Sequence, residues 1–333
     1  MVIMIECSQN IIPFVGKSNQ IKSVLEDAHL FCNTPNNVLI EGETGTGKEL
    51  VARIIHNLSK RNNKPFVVID CAAIPNSLFE SEFMGHEQGS YTGANHRYEG
   101  RLATANGGTV VLDNFEEMIH KPNKSLLRFL QFHTIQRIGN KHETHLDVKV
   151  LVLSNANLKK LMEKGLLPKD LYYRLYPFRT KIPPLRERKR DIPLISDYYL
   201  EKYSSLEKKS LRNFSRTCLE ILKNFEWPGN VRQLENVIHA SIIRSSDEMI
   251  FYKDLPEQFI EDLKIQNLDS SHKMKEILDF LILKKTISNR NVQELFACSS
   301  DTARKLLHKL LDQNILIRNS NVGRNVQYCQ KTT

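Results

Sequence analysis

The sequence predicts an α/β domain followed by a helical region and a small C-terminal domain. In the first half, short β-branched runs alternate with helix-like segments, which is the order of a parallel sheet covered by helices. The four predicted strands are 38–40, 66–69, 109–112 and 148–153. After Pro183-Pro184 these runs stop, and residues 190–261 have the periodicity of amphipathic helices. Apolar residues at helical spacing return at 274–282, beyond a polar stretch.

These changes of pattern divide the 333 residues into four segments. We expect an α/β core over 1–184, a helical lid over 185–263, a polar linker over 264–272 and a terminal domain over 273–333. This length suits two or three domains of about 100–200 residues each. Within the lid, the tetrapeptide WPGN at 227–230 predicts the start of a helix, because Pro and Gly interrupt the preceding one.

The composition is that of a soluble globular protein, with 41% hydrophobic and 26% charged residues. No apolar run is long enough to span a membrane, and the N-terminus lacks a basic segment followed by a long apolar stretch. We therefore expect a cytoplasmic protein with no membrane partner. The six cysteines have no CxxC or CxxH spacing, which predicts neither a disulfide framework nor a zinc site.

Positive charge is concentrated near the C-terminus. Residues 271–333 contain 11 Lys/Arg and 5 Asp/Glu, which gives +6 of the +9 carried by the whole chain. A compact basic segment suits the phosphates of nucleic acid, although a solvated basic face has the same composition. Charge alone leaves both interpretations open.

The most specific motif is GETGTGKE at 42–49, which directly follows the first predicted strand and precedes a helix-like segment. In a phosphate-binding loop of this kind, glycines allow a tight turn, successive N–H groups hold phosphate oxygens, and the lysine reaches the β- and γ-phosphates. Glu49 departs from the general pattern, which has Ser or Thr on Mg²⁺ there. An ordinary glycine turn is the alternative, and the flanking strand and helix argue against it. The predicted ATP-binding residues are Gly42, Glu43, Thr44, Gly45, Thr46, Gly47, Lys48 and Glu49.

A second element is GGTVVLD at 107–113, an apolar strand that ends in a carboxylate. Phosphate-loop ATPases place a Mg²⁺-organising Asp at such a strand end, so Asp113 is the predicted metal residue. An Asp at a strand end is also a common turn or cap residue, and the upstream loop is what favours the metal role. Asn114 follows, where many related ATPases carry a Glu that orients the attacking water. Because an amide cannot take a proton as a carboxylate can, slow hydrolysis is predicted.

Four further motifs give the sequence a specific resemblance. They are FMGHEQGSYTGA at 83–94, DLYYRL at 170–175, PPLRERKRDI at 183–192 and WPGNVRQLENV at 227–237. With the phosphate loop and Asp113, they resemble, in order over residues 12–245, the bacterial sigma-54-dependent transcription activators, which are AAA+ ATPases. The resemblance implies an AAA+ P-loop core with a helical lid. It also implies a homo-oligomer, usually a hexameric ring, that uses ATP and Mg²⁺ to remodel sigma-54 RNA polymerase at promoters.

One stretch of these motifs matches the loop with which the family contacts sigma-54. Its residues are Gly89, Ser90, Tyr91, Thr92, Gly93 and Ala94. Tyr91 stands where Phe is usual and Ser90 where Ala is usual. The glycines permit a sharply bent exposed loop, and the aromatic ring and the hydroxyl of Thr92 offer an apolar and a hydrogen-bonding contact. An ordinary glycine-rich hairpin is the alternative.

Three other roles are implied by position in the family's motifs. Asn155 in LVLSNAN matches a nucleotide-sensing polar residue on a core strand, and Arg232 in WPGNVR matches a lid arginine that senses the phosphates. Arg174 in DLYYRL matches an arginine finger, which reaches across a subunit boundary to stabilise charge on the transferring phosphoryl group. Without the surrounding motifs, a surface salt bridge is the simplest interpretation of either arginine.

The chain departs from the family at positions tied to hydrolysis. The family commonly reads G-x-F-R-x-D-L-Y-Y-R, whereas residues 165–174 are GLLPKDLYYR, so Pro168 replaces the first arginine and Lys169 is its nearest substitute. Asn114 replaces the usual Glu, and Asp70 stands where an Asn often partners that Glu. We expect neighbouring strand ends to bring Asp70 close to Asn114, so that Asp70 restores some water-orienting function. The predicted catalytic residues are Asp113, Asn114, Arg174 and Asp70.

The C-terminal segment differs from the short helix-turn-helix module usual in the family and resembles a winged helix. The expected helices are 273–284, 291–296 and 299–311, and the expected wing strands are 315–317 and 326–328. Ser299-Ser300-Asp301 caps the last helix, which is the candidate recognition helix. A turn with Asn321 and Gly323 closes the wing. The predicted contacts to duplex DNA are Thr302, Arg304, Lys305 and Arg324. A winged helix used for protein contacts is the alternative.

Two alternatives to an activator follow from these departures. The first is a hydrolysis-deficient DNA-binding regulator that uses ATP only to assemble, and the second is an AAA+ remodeller of another protein client. Turnover separates the first from an activator, and failure to bind sigma-54 identifies the second. About a dozen residues precede the core, so no N-terminal receiver or ligand-sensing domain is expected.

Overall fold

The computed structural model describes residues 2–5, 12–120, 124–211, 213–264, 270–296, 298–313, 315–318 and 326–330. It divides the chain into two compact units, Met1–Arg188 and Lys189–Thr333. Hydrophobic cores lie within each unit. Over the described ranges no helix is long and apolar enough to cross a bilayer. The cysteines in those ranges are free thiols, and no group of three or more potential metal ligands occurs there.

The first unit alternates strands and helices. Its strands are β1 (Val2–Ile5), β2 (Ile12–Val15), β3 (Val38–Glu41), β4 (Phe66–Asp70), β5 (Thr109–Asp113), β6 (Thr134–Ile135), β7 (Thr144–His145), β8 (Lys149–Ser154) and β9 (Arg179–Lys181). Its helices are α1 (Asn19–Phe31), α2 (Lys48–Leu58), α3 (Phe79–Met84), α4 (Arg101–Thr104), α5 (Lys124–Phe132), α6 (Leu158–Glu163) and α7 (Lys169–Leu175). Short 3-10 helices occur at Asn76–Leu78, Phe115–His120 and Leu185–Glu187.

Five parallel strands form the central sheet of this unit, in the order β4-β5-β8-β3-β9. Every residue of β3 and β8 is buried, as expected of parallel strands covered on both faces. Leu39 and Val152 join one core cluster, and Ile40 and Leu153 join another, because successive side chains point to opposite faces. The four predicted strands are confirmed. The edge strand β9 was not predicted, since it has three residues, two of them charged.

The carboxyl ends of four strands meet at one edge of the sheet. There Glu41 of β3 is paired with Ser154 of β8, and Asp70 of β4 is paired with Asp113 of β5. The chain leaves β3 into residues 42–47 and then enters α2 at Lys48. Ligands of open α/β sheets bind at this kind of edge. The predicted phosphate loop and the predicted carboxylates therefore share one place in the fold.

The second unit is mainly helical. Its helices are α8 (Ile192–Leu206), α9 (Arg216–Asn224), α10 (Asn230–Arg244), α11 (Glu257–Lys264), α12 (Ser270–Lys284), α13 (Asn289–Phe296) and α14 (Ser300–Asp312). Its strands are β10 (Asn213–Phe214), β11 (Met249–Ile250), β12 (Ile287–Ser288), β13 (Leu316–Arg318) and β14 (Gln327–Gln330), with a 3-10 helix at Tyr252–Asp254.

Helix α10 begins at Asn230, as the WPGN tetrapeptide predicts. Trp227 and Asn230 both have positive φ, 49° and 50°, so the chain turns sharply before the helix. The Trp227 side chain is fully buried, donates its indole N–H to the Leu222 carbonyl at 2.7 Å, and stacks on Phe259. A buried indole with its N–H satisfied anchors this turn in the core of the lid.

The terminal region has the order helix, strand, two helices and two strands, so the three predicted helices and two predicted wing strands are present together with one additional short strand, β12. Ser299 caps α14, and its hydroxyl accepts from the Thr302 N–H at 3.3 Å. Strand β14 pairs with β13, as predicted, and also with β12, which was too short to predict. Helix α11 includes Lys264 and α12 begins at Ser270, so helix extends into both ends of the predicted linker. Three residues of the predicted wing lie outside the described residues, namely Asn321, Gly323 and Arg324.

Candidate functional site

The loop between β3 and α2 has the backbone conformation that its glycines permit. Gly45 and Gly47 have φ of 78° and 101°, in the left-handed region that other residues rarely adopt. A Cβ on Gly42 would lie 2.9 Å from the Thr46 hydroxyl oxygen and 3.1 Å from the Ile182 carbonyl oxygen. The Thr46 hydroxyl in turn donates to the Glu43 carbonyl at 2.7 Å. The loop is therefore tightly folded over the N-terminus of α2.

Lys48 lies inside this loop and not on its outer surface. Its side chain is buried, and Nζ donates to the carbonyls of Gly42 at 2.8 Å and Glu43 at 3.1 Å. The same ammonium donates to Asn155 Oδ1 at 2.5 Å, and the Thr44 hydroxyl also donates to that oxygen, at 3.3 Å. Phosphate oxygens carry negative charge, so they would stabilise this buried ammonium more strongly than the neutral oxygens that accept from it here.

Glu49 has surroundings unlike those of the rest of the predicted loop. Its side chain is half exposed and forms an ion pair with Arg53 one helical turn further on, with Nη2 and Oε1 2.7 Å apart. The predicted ATP contact of Glu49 is therefore the weakest of the eight on this geometry. It stays a prediction.

Four polar side chains form a continuous line across the sheet edge. Asn114 Nδ2 donates to Asp70 Oδ1 at 2.8 Å, which is the proximity expected from the strand ends. Asn155 Nδ2 donates to Asn114 Oδ1 at 2.8 Å, and Asn155 Oδ1 accepts from Lys48 as described above. The line Asp70-Asn114-Asn155-Lys48 thus joins the predicted catalytic residues to the phosphate loop. Asn114 has φ of 52°, a left-handed conformation in which Asn is enriched.

Asp113 lies beside this line, in the sheet pairing next to Asp70. Its Oδ1 accepts from the Asn114 N–H at 2.9 Å. Burial raises the pKa of the Asp113 carboxyl, and the bond from the Asn114 N–H and the positive charge of Lys48 oppose that rise. A cation placed against this carboxylate would lower its pKa again.

Glu116 belongs to the site although the sequence did not indicate it. Its carboxylate accepts from Asn155 Nδ2 at 2.8 Å, from the Asn155 N–H at 3.2 Å and from the Ser154 hydroxyl at 2.8 Å. It therefore fixes which way the Asn155 amide faces. Glu116 lies in the 3-10 helix Phe115–His120 that follows β5, and its contact with Asn155 joins residues 39 positions apart in the chain.

Two arginines of the PPLRERKRDI motif also hold the loop. Arg186 makes two parallel bonds to the Glu43 carboxylate, at 2.8 and 2.5 Å, and Arg188 donates to the Thr46 carbonyl at 3.0 Å. Arg188 is almost fully buried. The motif supported the resemblance in the sequence, but nothing in the sequence assigned these side chains to the phosphate loop.

The predicted sigma-54 loop projects from the same unit. Gly89 and Gly93 have positive φ of 78° and 104°, and the Gly89 N–H donates to the Ala94 carbonyl at 2.9 Å. Thr92 is exposed, and Tyr91 is 41% exposed while its ring contacts His86 edge-on at 5.1 Å. Ser90 lies at the inner side, where its Cβ would meet a Cβ on Gly139. The tip of this loop therefore exposes the side chains of Tyr91 and Thr92 to solvent.

The base of this loop is closed by backbone packing. A Cβ on Gly85 would lie 2.4 Å from the Tyr98 carbonyl, and a Cβ on Gly100 would lie 2.4 Å from the Gly85 nitrogen. Glu87 accepts from Arg137 at 2.8 Å, and this bond is the main cause that holds the pKa of Glu87 below its usual value. These contacts set the direction in which the loop leaves the domain.

Comparison with known families decides what kind of domain carries this site. Residues 14–181, half of the chain, match the model of the sigma-54 interaction domain, and residues 186–271 match that of the AAA+ ATPase lid domain. The chain belongs to the sigma-54 interaction domain family. The predicted family and the predicted AAA+ fold with a lid are thereby confirmed.

Curated relatives of this sigma-54 interaction domain protein include a transcriptional regulatory protein and a nitrogen fixation protein. The chain is 38% identical over 242 residues to the transcriptional regulatory protein ZraR of Escherichia coli (strain K12), covering 73% of this chain and 55% of ZraR. It is 39% identical over 242 residues to the nitrogen fixation protein AnfA of Azotobacter vinelandii, covering 73% of this chain and 45% of AnfA. The chain thus spans about half the length of the curated relatives it matches.

Solved structures show the same fold. Two crystal structures of NtrX from Brucella abortus, one in complex with ADP and one with ATP, align with 89% of this chain and 69% of NtrX. The TM-score is 0.68 at 24% identity, so the likeness shows a shared fold alone.

Both arginines to which the family's motifs assign a role, Arg174 and Arg232, have exposed side chains. Arg174 is exposed in the last turn of α7, between the exposed rings of Tyr173 and Tyr176. Pro168 precedes this helix and Lys169 is its first residue. Arg232 is exposed on α10 in the second unit. The finger and sensor roles of these arginines stay predictions.

Helix α14 has the two faces expected of a recognition helix. Its buried face consists of Ala303, Leu306, Leu307 and Leu310. The predicted DNA contacts Thr302, Arg304 and Lys305 are exposed, and Arg304 is 3.8 Å from its nearest carboxylate, that of Asp301. Arg318 is exposed at the end of β13. The predicted contact Arg324 lies outside the described residues.

Proposed function

We propose that this chain is an ATP-dependent transcription activator that remodels sigma-54 RNA polymerase at promoters. The proposal rests on the combination of two features in one domain that matches the sigma-54 interaction family. This domain has a tightly folded phosphate loop, and the Tyr91 and Thr92 side chains are exposed at the tip of its predicted sigma-54 loop. The proposal includes assembly into a hexameric ring, binding to duplex DNA and a cytoplasmic location. All of these go beyond the family assignment, because the chain covers only about half of its curated relatives.

The residues at the sheet edge fit a nucleoside triphosphate with Mg²⁺. The tight turn at Gly42 and the N-terminus of α2 form an anion site, with the buried Lys48 ammonium beside it. Asp113 offers the oxygen ligand that Mg²⁺ prefers, in surroundings that already raise the pKa of this carboxyl. Asp113 would hold the Mg²⁺, whose positive charge would offset the negative charge of the phosphates. Asn155, whose amide Glu116 orients, would sense the phosphates and transmit a change to Asn114 and Asp70 through the hydrogen bonds that connect them.

The test of this proposal is promoter opening by sigma-54 RNA polymerase, measured together with phosphate release from Mg-ATP over a wide range of protein concentration. We expect both activities to rise with concentration and to be lost in Lys48→Ala, which removes the charged group nearest the phosphates. Lys60→Ala is the matched control, since Lys60 is exposed just beyond the end of α2. Turnover without promoter opening would mean another protein client, and would contradict the sigma-54 proposal.

A second candidate is a regulator that binds ATP to assemble but does not hydrolyse it. Asn114 and Pro168 favour it, because both replace residues that the family uses in hydrolysis. Losing a general base reduces a rate by about 10²- to 10⁴-fold, and losing an arginine finger by about 10³-fold or more. Nucleotide binding that Lys48→Ala abolishes, with no phosphate release at any concentration, would select this candidate.

Duplex DNA binding by the terminal domain is a separate prediction. We expect the logarithm of the affinity to fall linearly with the logarithm of the salt concentration, because phosphate contacts release counterions. Arg304→Ala should cost about 1–3 kcal/mol at a specific site, since an exposed arginine on the recognition helix reads base edges. The measurement is fluorescence anisotropy with labelled duplexes, and Lys223→Ala, an exposed site on the lid helix α9, is the control. Binding that is absent or independent of salt would contradict this role.

A further inference from the structure

Two acidic side chains of α12, the first helix of the terminal domain, lie at the N-terminus of α9 in the lid. Glu276 is fully buried, and its carboxylate accepts from the Ser215 hydroxyl at 2.6 Å and from the Tyr252 N–H at 2.5 Å. Ser215 is itself the cap of α9 and accepts from the Cys218 N–H at 3.1 Å. The cap of a lid helix is therefore extended by a carboxylate from the terminal domain.

Asp279 lies one turn further along α12 and contacts the same helix end. It is buried, and its carboxylate accepts from the Arg216 N–H at 2.5 Å. The first N–H groups of a helix have no partner within the helix, and the helix dipole favours negative charge there. Glu276 and Asp279, one turn apart on the same helix, together satisfy the start of α9. We refer to these two residues as the carboxylate clamp.

Apolar contacts extend this junction. Phe251 belongs to the lid sequence, yet its fully buried ring lies in the core of the terminal domain with Ile277 and Phe280. The rings of Phe251 and Phe280 are 5.7 Å apart, and those of Tyr252 and Phe296 are 6.2 Å apart. The lid and the terminal domain thus share hydrophobic core, which a freely tethered domain does not do.

An ion-pair cluster joins the far end of α12 to the lid. Lys284, the last residue of α12, is 3.0 Å from Asp247, and Asp247 is also 3.0 Å from Lys253. Burial acts to raise the pKa of the Asp247 carboxyl, but the bonds from Lys284 and Lys253 outweigh it and hold this pKa below its usual value. Helix α12 is therefore fixed to the lid at both of its ends.

Separation of the two parts would remove the hydrogen bonds and apolar contacts of the junction, although burial of the Glu276 carboxylate itself carries a free-energy cost. Burial raises the pKa of the Glu276 carboxyl to about 7, and the bonds from Ser215 and Tyr252 oppose that rise. Opening the junction would expose Phe251 and Phe280 to water and leave the Ser215 hydroxyl and two helix N–H groups without their acceptors. The contacts are numerous enough, and buried enough, to hold the parts together.

We propose that the carboxylate clamp makes the lid and the DNA-reading domain one rigid body, so that duplex DNA and nucleotide each change the affinity of the chain for the other. This inference rests on the proposed function, in which Arg232 on lid helix α10 senses the phosphates and α14 reads DNA. A lid that changes position with nucleotide then carries α14 with it. Reciprocity of binding free energies requires the two effects to be the same factor.

The rigid body is tested without either ligand by amide hydrogen exchange. The N–H groups of Arg216 and Tyr252 donate to Asp279 and Glu276 of the clamp, respectively, so we expect both to be protected and to lose at least about tenfold of that protection in Glu276→Ala/Asp279→Ala. Glu276→Gln/Asp279→Asn keeps side-chain volume and one acceptor at each position, and should give a smaller loss. Rapid exchange of both amides in the native chain would overturn the clamp.

The coupling is tested by measuring the Kd of a mixed-sequence duplex with AMP-PNP, with ADP and without nucleotide, and the Kd of AMP-PNP with and without that duplex. We expect one nucleotide state to change the DNA affinity at least about fivefold, and DNA to change the affinity for that nucleotide by the same factor. The factor should approach one in Glu276→Ala/Asp279→Ala and should fall less in Glu276→Gln/Asp279→Asn. Glu261→Gln, at an exposed position on α11, removes one acidic group from the lid outside the clamp and should leave the factor unchanged.

The outcomes separate this inference from the function on which it rests. If the chain binds both ligands and neither affects the other, the coupling is wrong while the proposed function stands. If the chain binds no nucleotide or no DNA, the proposed function fails, and the coupling fails with it. If coupling persists at full size in the clamp variants after their amides have lost protection, the clamp is not what transmits it.

Discussion

Exchanging the two residues at the strand ends, Asp70→Asn together with Asn114→Glu, is expected to raise ATP turnover by about 10²- to 10⁴-fold. The reason is the 2.8 Å bond from Asn114 Nδ2 to Asp70 Oδ1, which shows that the carboxylate and the amide are direct partners. The exchange keeps one amide and one carboxylate in contact, but places the carboxylate at position 114, next to Asp113. There it can still accept from Asn155 Nδ2, as Asn114 Oδ1 does now.

The single substitutions test whether turnover requires an amide–carboxylate pair at positions 70 and 114 or only a carboxylate at position 114. Asn114→Glu alone puts two carboxylates against each other, so its gain should be smaller than that of the exchange. Asp70→Asn alone leaves two amides and should abolish any residual turnover while nucleotide binding persists. Position 114 has φ of 52°, and Glu adopts the left-handed region at a cost of about 1 kcal/mol or more, which lowers the stability of both variants that carry Asn114→Glu.

Phosphate release at saturating Mg-ATP measures this series, with nucleotide affinity recorded for each variant. Glu117→Gln serves as the control, since Glu117 is exposed in the same turn of chain. An exchange variant that binds ATP as tightly as the native chain but turns it over no faster would show that position 114 does not limit hydrolysis. Unchanged turnover in Asp70→Asn would remove any catalytic role for Asp70.

Arg174→Ala is expected to lower turnover by about 10³-fold while leaving nucleotide binding by the isolated subunit unchanged. Arg174 is exposed on α7 between two exposed tyrosines, which suits a side chain that completes the site of a neighbouring subunit. Arg174→Lys should recover little, because an ammonium cannot make the two parallel bonds of a guanidinium. Lys164→Ala removes one exposed positive charge nearby and should have no effect.

Mixing two inactive variants tests whether Arg174 acts across a subunit boundary. Arg174→Ala subunits keep the phosphate loop, and Lys48→Ala subunits keep the finger, so some interfaces in a mixed ring combine both intact parts. A random equal mixture should recover about a quarter of full turnover, because half of the sites are intact and half of their neighbours supply the arginine. The experiment uses the native or the exchanged background, whichever turns over faster. A mixture as inactive as its components would mean that Arg174 does not act in trans.

The sequence was a good guide wherever the information is local. The order of strands, the phosphate loop at 42–49 and the helix start at 227–230 were all predicted, because glycine, proline and the spacing of apolar residues act within a few positions. The neighbouring positions of Asp70 and Asn114 also followed, since parallel strands end at one edge of a sheet. The edge strand β9 could not be predicted from the sequence, because it has only three residues and two of them are charged. Its pairing with β3 is seen only in the structure.

By itself, the sequence determined that this chain has an AAA+ core with a lid and belongs to the sigma-54 interaction family, and it predicted a terminal domain that resembles a winged helix. Only the tertiary structure decided that Glu116 orients Asn155, that Arg186 and Arg188 hold the phosphate loop, and that Glu276 and Asp279 join α12 to α9. The partners in these bonds are separated by 39 to 143 residues in the chain. A carboxylate or guanidinium in a polar helix or loop looks the same in sequence whether it faces solvent or a distant backbone, because its partner is set by how the elements pack.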